Sequence, residues 1–262
     1  MTASKHPYFE GEYPLIMPHR GGMEVVPENT LEAIDYCDKN KFTHFETDLR
    51  MSKDEVVFLH HDETLERTTD SEGRVQEYYW RDLLKVNAGQ KFYEKKNITG
   101  KTTQFVSLED ALTKFSDMKF NLDIKQKGIS KNVLEVIMDC KASERTLVSS
   151  FSSKRLKQFQ QLNKYNIATS GSVKENLQAM LNSKIMDVWG LQVEALQVPI
   201  KWKGIRVLTK QFVKYAHSKN IEVHVWTVNN LSVLKDCLQL GCDGVMTDRP
   251  VEMRRLAREI YG

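Results

Sequence analysis

The chain has 262 residues, of which 40% are hydrophobic and 28% are charged. This balance is typical of a soluble globular protein with a large apolar core, and it excludes disorder over most of the length. The net charge is only +3, which is too small to predict electrostatic attraction of the whole protein to nucleic acid or a membrane. Any basic patch must therefore be local. The length and the lack of a Pro/Gly/Ser-rich linker favour a single domain over residues 1–262.

The sequence gives no indication of a signal peptide, a membrane span or a disulfide framework. Residues 1–20 hold no apolar run of signal-peptide length, and no stretch approaches the roughly 18 apolar residues of a membrane-spanning helix. The cysteines are too widely spaced to indicate a zinc knuckle or a disulfide framework. We therefore expect a cytoplasmic protein with no membrane span, no nucleic-acid partner and reduced thiols. The sequence leaves the oligomeric state open.

Short apolar or β-branched runs alternate with segments of helical period along the chain. These runs are predicted to be strands: LIMPH (15–19), THFETD (43–48), FNLDIK (120–125), TLVSSF (146–151), YNIATSG (165–171), DVWGLQV (187–193), EVHVWTV (222–228) and GVMTD (244–248). Eight strands in βα order, over a length near the roughly 250 residues of a (β/α)₈ barrel, predict an α/β protein with a TIM-barrel fold.

Two segments depart from the repeat. EVVFLHH (55–61) follows the second strand with no helix between them, so we interpret it as a hairpin return at the barrel mouth. Residues 62–105 are rich in turn formers and aromatics and are predicted to be a small insertion over the mouth. We expect Tyr78, Trp80 and Phe92 to form the insertion's own core. In the alternative they face the site and receive an acyl chain.

The predicted strand ends bring carboxylates together, at the place where a TIM barrel carries its active site. Glu46 and Asp48 are two residues apart and so point to one face of a strand, and Asp123 ends the next barrel strand. Oxygen ligands of this kind suit a hard divalent cation. The alternative is a structural cluster neutralised by Arg20 and Lys125, and spacing alone does not decide between the two.

Two histidines come from different strand ends beside this cluster. His19 and His61 are suited to act as base and acid in a hydrolysis near neutral pH. A single histidine at a strand end is most often part of the hydrogen-bonded structure, so neither is strong evidence alone. His60 is an internal control, because as the neighbour of His61 on a strand it should face the opposite side.

Motifs spread along the chain carry a family resemblance. They are H-R-G-G (19–22), P-E-N-T-L-E-A (27–33), F-E-T-D (45–48), V-V-F-L-H-H-D-E-T-L-E-R-T-T (56–69), L-D-I-K (122–125), S-S-F (149–151), V-W-T-V-N (225–229) and G-C-D-G-V-M-T-D-R-P (241–250). Together they resemble the glycerophosphodiester phosphodiesterase family over residues 15–251. So many motifs in order are a highly specific signal. The resemblance implies a TIM barrel with a small insertion after the second strand, which the periodicity also predicts.

The resemblance also implies an activity and a set of roles. The activity is hydrolysis of glycerophosphodiesters, such as glycerophosphocholine, to sn-glycerol 3-phosphate and an alcohol. The implied roles are an acid/base pair of His19 and His61, a divalent ion (usually Ca²⁺ or Mg²⁺) on Glu46, Asp48 and Asp123, and a phosphate clamp of Arg20 and Lys125. A cation with two fixed basic side chains matches the charge that gathers on the phosphoryl oxygens in the transition state.

Other implied site residues have structural alternatives. Glu28 is expected to reach the site, or else to be an acid in the first turn of a helix. Trp226 and Phe151 would line the alcohol or glycerol subsite, although Phe151 could equally pack in the barrel core. Asp123 stands where most members of the family carry Glu. The D-I-K motif is similar to a branch that acts as lysophospholipase D on lysophospholipids, which we keep as the alternative.

Two other classes fit the sequence less well. A sugar-phosphate isomerase or aldolase would need a phosphate site in the last two βα loops, and V-N-N and T-D-R-P lack the glycine-rich turns that such a site favours. A barrel that only binds its ligand, with a decayed active site, predicts the loss of a histidine or a carboxylate. All of these residues are present.

Overall fold

The computed structural model describes residues 6–184 and 190–261. Its strands are β1 (Leu15–Pro18), β2 (His44–Met51), β3 (Val57–Leu59), β4 (Lys119–Ile124), β5 (Thr146–Ser149), β6 (Ala168–Gly171), β7 (Ala195–Val198), β8 (Lys201–Trp202), β9 (Ile205–Arg206), β10 (Glu222–Val225) and β11 (Gly244–Thr247). Its helices are α1 (Leu31–Lys39), α2 (Trp80–Leu83), α3 (Gln90–Lys95), α4 (Leu108–Lys114), α5 (Ser130–Asp139), α6 (Ser153–Leu162), α7 (Val173–Asn182), α8 (Lys210–Ser218), α9 (Leu231–Leu240) and α10 (Pro250–Tyr261). Among the described residues, each helix is too short or too polar to cross a membrane.

The main sheet closes into a barrel. Its strands lie in the order β1-β11-β10-β7-β6-β5-β4-β2, and each neighbouring pair is parallel. A parallel bridge between His19 and Glu46 joins the two ends of this order, at β1 and β2. The helices between these strands cover the outside, so the predicted (β/α)₈ barrel is confirmed.

Side-chain alternation along the strands separates the core from the site. Phe45 on β2 and Phe120 on β4 pack with their ring centroids 5.8 Å apart. Both belong to the large apolar cluster shared with the outer helices. The side chains next to Phe45 and Phe120 along each strand point the other way, into the interior of the barrel. The turn Pro7–Phe9 packs beneath this interior, against the first residues of β5, β6 and β7. The polar end of the barrel is therefore the end where the strands finish.

The hairpin prediction is confirmed, and one strand prediction is wrong in position. β3 pairs antiparallel with β2, as expected for 55–61. Of the predicted strand 187–193, residues 187–189 lie outside the described residues, and 190–193 are not in a strand. The strand is Ala195–Val198, held between β6 and β10. The triplet Leu-Gln-Val occurs in both places, so local propensity cannot separate them and tertiary pairing selects the second.

The segment 62–105 contains α2 and α3 and forms its own small core. Phe58, Leu65, Val75, Leu83, Val86, Ala88 and Phe105 make up this cluster, with Tyr78 and Trp80 packed against it. Phe92 lies edge-on to Tyr93, with ring centroids 5.8 Å apart. The favoured interpretation therefore agrees with the structure for Tyr78 and Trp80, whereas Phe92 packs on Tyr93 outside this cluster. No residue of 62–105, a segment described in full, lines the cavity at the barrel mouth.

Candidate active site

A cavity of about 340 Å³ opens at the C-terminal ends of the barrel strands. The predicted site residues that line it are His19, Arg20, Glu46, Asp48, His61, Asp123, Lys125, Phe151 and Trp226. Glu28 does not line the cavity and instead contacts Arg20 from behind. The fold therefore brings together side chains from β2 and β4 and from the residues that follow β1, β3, β4, β5 and β10, which are up to 207 positions apart in the sequence (19 and 226).

His19 is held by a carboxylate from the other end of the chain. Its Nδ1 donates to Asp248 Oδ1 at 2.7 Å, and its Nε2 lies 4.0 Å from Glu46 Oε2. Asn229 in turn donates to the second oxygen of Asp248 at 2.6 Å. Burial alone would disfavour the imidazolium, but Asp248 and Glu46 outweigh it and raise the pKa of His19. The ring is thus oriented with Nε2 free for the cavity.

His61, which also lines the cavity, has the same arrangement. Its Nδ1 donates to Asp62 Oδ1 at 2.6 Å, and Arg67 holds the other oxygen of Asp62. About a third of the His61 side chain is exposed. His60 is buried on the other side, where it stacks on Phe58. The predicted contrast between the two neighbouring histidines is therefore present in the structure.

Glu46 and Asp48 share one face of β2 but have different electrostatic surroundings. Burial and the neighbouring Asp48 raise the pKa of Glu46 to about 7. Burial acts in the same direction on Asp48, but Lys125 at 3.1 Å and Arg20 at 3.0 Å hold its pKa well below the usual range. Asn29 also donates to Asp48 at 3.0 Å. Asp48 is thus a fixed anion, and Glu46 is the carboxylate that lacks a full countercharge.

Lys125 lies between two carboxylates. Its Nζ is 2.6 Å from Asp123 Oδ2 and 3.1 Å from Asp48 Oδ1. The other oxygen of Asp123, Oδ1, is buried and has no hydrogen-bond partner among the described residues. Within 6–184 and 190–261, no group of three or more His, Cys, Asp or Glu side chains is arranged to hold a metal ion. This arrangement corresponds to the neutralised cluster that the sequence left as an alternative to a metal site.

The H-R-G-G motif makes a turn that directs Arg20 into the site. Arg20 has a φ of +52° and Gly21 a φ of +95°. A Cβ on Gly21 would lie 2.4 Å from the Cβ of Ala33 on α1, so only glycine allows this close approach. The same turn points the backbone N–H of Arg20 at Glu46 Oε2, 3.0 Å away.

Glu28 is a positioning residue for Arg20. Its Oε1 accepts from Arg20 Nη1 at 2.9 Å, and both of its oxygens accept from Arg67 at 2.7 Å. The alternative that Glu28 lies in the first turn of a helix is wrong, because α1 begins at Leu31 with Thr30 as its N-cap. Arg67 comes from the insertion, which thereby braces the site without lining it.

Sequence reasoning missed the residues behind the site. Asp248, Asp62, Asn29 and Arg67 each contact a predicted site residue but were given no role. Asp248 and Asp62 stand at or beside polar strand ends, which was the available signal. The sequence spacing of Asn29 and Arg67 did not indicate a role in the site, because their partners Asp48 and Glu28 are 19 and 39 positions away.

Apolar side chains form a wall of the cavity beside the charged residues. The rings of Phe151 and Trp226 meet edge-on at 5.2 Å, and Lys125 Nζ lies 4.9 Å from the centre of the Phe151 ring. The wall continues with Leu177, Met180, Trp202, Ile205 and Val207, from α7 and the β8–β9 hairpin with the residue after it. Phe151 is 42% exposed, so it lines the site and is not barrel core.

Comparison with known proteins identifies the family. The sequence model described as the glycerophosphoryl diester phosphodiesterase family matches residues 19–252. A probable glycerophosphodiester phosphodiesterase 2 of Mycobacterium tuberculosis is 30% identical over 242 residues, which cover 90% of this chain and 87% of that protein. The chain belongs to the glycerophosphoryl diester phosphodiesterase family. It is therefore an enzyme.

Further relatives of this family member support the assignment. A glycerophosphodiester phosphodiesterase of Bacillus altitudinis is 29% identical, over 94% of this chain and 98% of that one. A Silicibacter pomeroyi crystal structure has a TM-score of 0.81 at 18% identity, with 97% of each chain covered. An Oleispira antarctica phosphodiesterase, solved with the product sn-glycerol-3-phosphate, has a TM-score of 0.75 at 20% identity and covers 94% of this chain and 97% of that one. These structures share the barrel fold.

Proposed function

We propose that this enzyme hydrolyses glycerophosphodiesters, such as glycerophosphocholine, to sn-glycerol 3-phosphate and an alcohol. The observation that carries the proposal is the pair of histidines that line one cavity. Each holds its Nδ1 on a carboxylate, and Arg20 and Lys125 lie beside them. The names of the relatives, and the product bound to the Oleispira enzyme, support the same substrate class.

The proposed roles of the two histidines follow from this geometry. With Nδ1 held, each imidazole presents Nε2 to the substrate. One Nε2 takes a proton from the attacking water, whose oxygen bonds to phosphorus, and the other gives a proton to the oxygen of the departing alcohol as its bond to phosphorus breaks. His19 and His61 reach the cavity from different strand ends, so we place the phosphodiester between them, with one histidine at the attacking oxygen and the other at the leaving oxygen.

Arg20 and Lys125 are proposed to bind the phosphoryl oxygens. Both are charged, because nearby carboxylates raise the pKa of Arg20 and of Lys125 despite burial. Fixed cations are worth most where negative charge increases in the transition state. Phe151 and Trp226 offer the apolar surface against which the glycerol or the alcohol lies.

We further propose that Glu46, Asp48 and Asp123 hold a divalent ion, Ca²⁺ or Mg²⁺. Their oxygens are the donors that these hard cations take. The buried Asp123 Oδ1, which has no hydrogen-bond partner among the described residues, supports the fit. When bound, the ion would neutralise charge on the phosphoryl group. Its binding requires Lys125 to move from the carboxylates toward the phosphate.

A lysophospholipase D activity is the second candidate, and one observation favours it. The cavity continues along Leu177, Met180, Trp202 and Ile205, which is more apolar surface than glycerol or choline needs. Burial of an acyl chain there would contribute about 0.8 kcal/mol per methylene. The aromatics of 62–105, which the sequence offered for this role, do not reach the cavity.

Product analysis on two substrates tests the proposal. Purified enzyme with added Ca²⁺ or Mg²⁺ is given glycerophosphocholine and lysophosphatidylcholine in parallel, and the phosphorus products are followed by ³¹P NMR. We expect sn-glycerol 3-phosphate from the first substrate at the higher rate. Faster formation of lysophosphatidic acid from the second would establish the lysophospholipase D alternative. Turnover of neither substrate would contradict both.

A further inference from the structure

The barrel mouth is basic on one side. Segments 125–131, 150–155, 172–175 and 199–210 follow β4, β5, β6 and β7 and contain ten Lys or Arg residues against one acidic residue, Glu175. Glu175 is engaged in the capping box at the start of α7. The basic residues that are exposed are Lys127, Lys131, Lys154, Lys174, Lys201, Lys203, Arg206 and Lys210.

The other side of the mouth has no such excess. Segments 19–30 and 248–252, which follow β1 and β11, contain four acidic residues and two basic ones. A chain with a net charge of only +3 therefore concentrates positive charge at one half of one end of its barrel. The local potential there exceeds what the net charge suggests, and it falls off within a Debye length of about 8 Å at physiological salt.

The basic half also exposes large apolar side chains. Phe151, Leu177, Trp202 and Ile205 are 42 to 56% exposed, and all four line the cavity mouth. Single exposed apolar residues need no explanation, but a contiguous group rimmed by polar residues marks an interaction surface. Here all four apolar side chains line the cavity, and exposed lysines lie in the same or neighbouring segments.

The β8–β9 hairpin is the most exposed part of this face. All six residues from Lys201 to Arg206 are exposed. Lys203 and Gly204 both have positive φ, at +47° and +83°, the conformation of a tight two-residue hairpin turn. Trp202 and Ile205 are cross-strand partners, and so are Lys201 and Arg206. The hairpin therefore presents an apolar pair on one face and a basic pair on the other.

We propose that this face docks on the surface of a bilayer that contains anionic phospholipids. The hairpin enters the headgroup region tip first, so that Trp202 and Ile205 contact lipid on one face while Lys201 and Arg206 contact the lipid phosphates on the other. Interfacial segments combine an aromatic anchor with basic residues in this way, because anionic lipid adds electrostatic attraction to apolar burial. Docking would place the cavity mouth against the membrane. The proposal concerns a surface outside the phosphate site and does not depend on which phosphodiester is cleaved.

Vesicle co-sedimentation of the full-length chain, without substrate, tests this proposal. The probes are vesicles of phosphatidylcholine alone and of phosphatidylcholine with phosphatidylglycerol. We expect binding to the anionic vesicles that weakens at high salt. The double variant K201Q/K203Q should bind about 25-fold more weakly, since each basic residue near an anionic surface contributes about fivefold. The double variant W202A/I205A should also lose binding.

The matched control is K39Q/K95Q, which removes the same charge from exposed lysines of α1 and α3. Its vesicle binding should equal that of the wild type, and circular dichroism should show each variant folded. Equal binding to neutral and anionic vesicles, no binding to either, or an equal loss in the control would overturn the proposal. So would tighter binding to an RNA oligonucleotide than to the vesicles. Since no turnover is measured, failure here is distinct from failure of the proposed activity.

Discussion

Nδ1 of His19 donates to Oδ1 of Asp248 across 2.7 Å, which links the ends of the first and last barrel strands. His61, which also lines the cavity, repeats this relationship with Asp62 at 2.6 Å. In each pair the carboxylate fixes the ring, and for His19 it also favours the imidazolium form. Two histidines with this orientation are what a hydrolysis with separate proton acceptor and donor requires.

Asp248→Asn should slow hydrolysis of glycerophosphocholine, because it keeps the shape of the side chain and removes the charge that supports His19. The loss should be at most the roughly 10²- to 10⁴-fold that a positioned proton donor contributes. Since Asp248 raises the pKa of His19, the variant should also lower that pKa in an NMR titration. An unchanged rate and an unchanged pKa would contradict the role. Asp243→Asn is the control, because Asp243 contacts His217 in a similar pair outside the cavity.

Removal of the proposed ion should abolish turnover. Excess EDTA is expected to stop hydrolysis, and added Ca²⁺ or Mg²⁺ to restore it. Glu46→Gln should be inactive but folded, because the change removes charge and leaves the volume. In a thermal melt, the divalent ion should raise the Tm of the wild type but not of this variant, since a ligand stabilises only the state that binds it. Full turnover in excess EDTA would contradict the metal proposal.

Stability should fall on acidification, in part through His44. Burial lowers the pKa of His44 to about 4, against about 6.5 in an unfolded chain. Between these values the unfolded state binds a proton that the folded state does not, so stability is present above about pH 6.5 and is lost as the pH falls toward 4. The expected loss is roughly 3 kcal/mol, at 1.4 kcal/mol per pK unit. Urea unfolding at several pH values measures it.

His44→Gln should flatten this pH dependence. Burial also lowers the pKa of His60, so a smaller slope of the same sign should remain in the variant. An identical slope in wild type and variant would show that His44 is not held neutral in the folded protein.

Periodicity was sufficient for the fold. Alternating strand and helix patterns predict the barrel, and the hairpin of β2 and β3 follows from the missing helix between them. Local pattern did not distinguish the Leu-Gln-Val at 191–193 from that at 196–198. The choice depends on pairing with β6 and β10, which are distant in the chain.

The site was predictable where strand position determines direction. Glu46, Asp48 and His61 face the cavity because a strand alternates its side chains. The supporting contacts were not predictable, because Arg67 reaches Glu28 through the path of the insertion. Phe151 and Trp226 were predicted, but the rest of the apolar wall was missed, in part because the two-residue strands of the β8–β9 hairpin have no periodic pattern to detect. Whether the carboxylates hold an ion depends on the position of Lys125, which sequence spacing does not determine.

The most direct test of the account compares two neighbouring histidines. Steady-state hydrolysis of glycerophosphocholine is measured for the wild type, His61→Ala and His60→Ala, each below its own melting temperature. We predict that His61→Ala lowers kcat by roughly 10²- to 10⁴-fold with little change in stability. His60→Ala should melt earlier, because His60 is buried against Phe58, yet keep a rate near that of the wild type. Equal losses of kcat in both variants, or no loss in His61→Ala, would contradict the account.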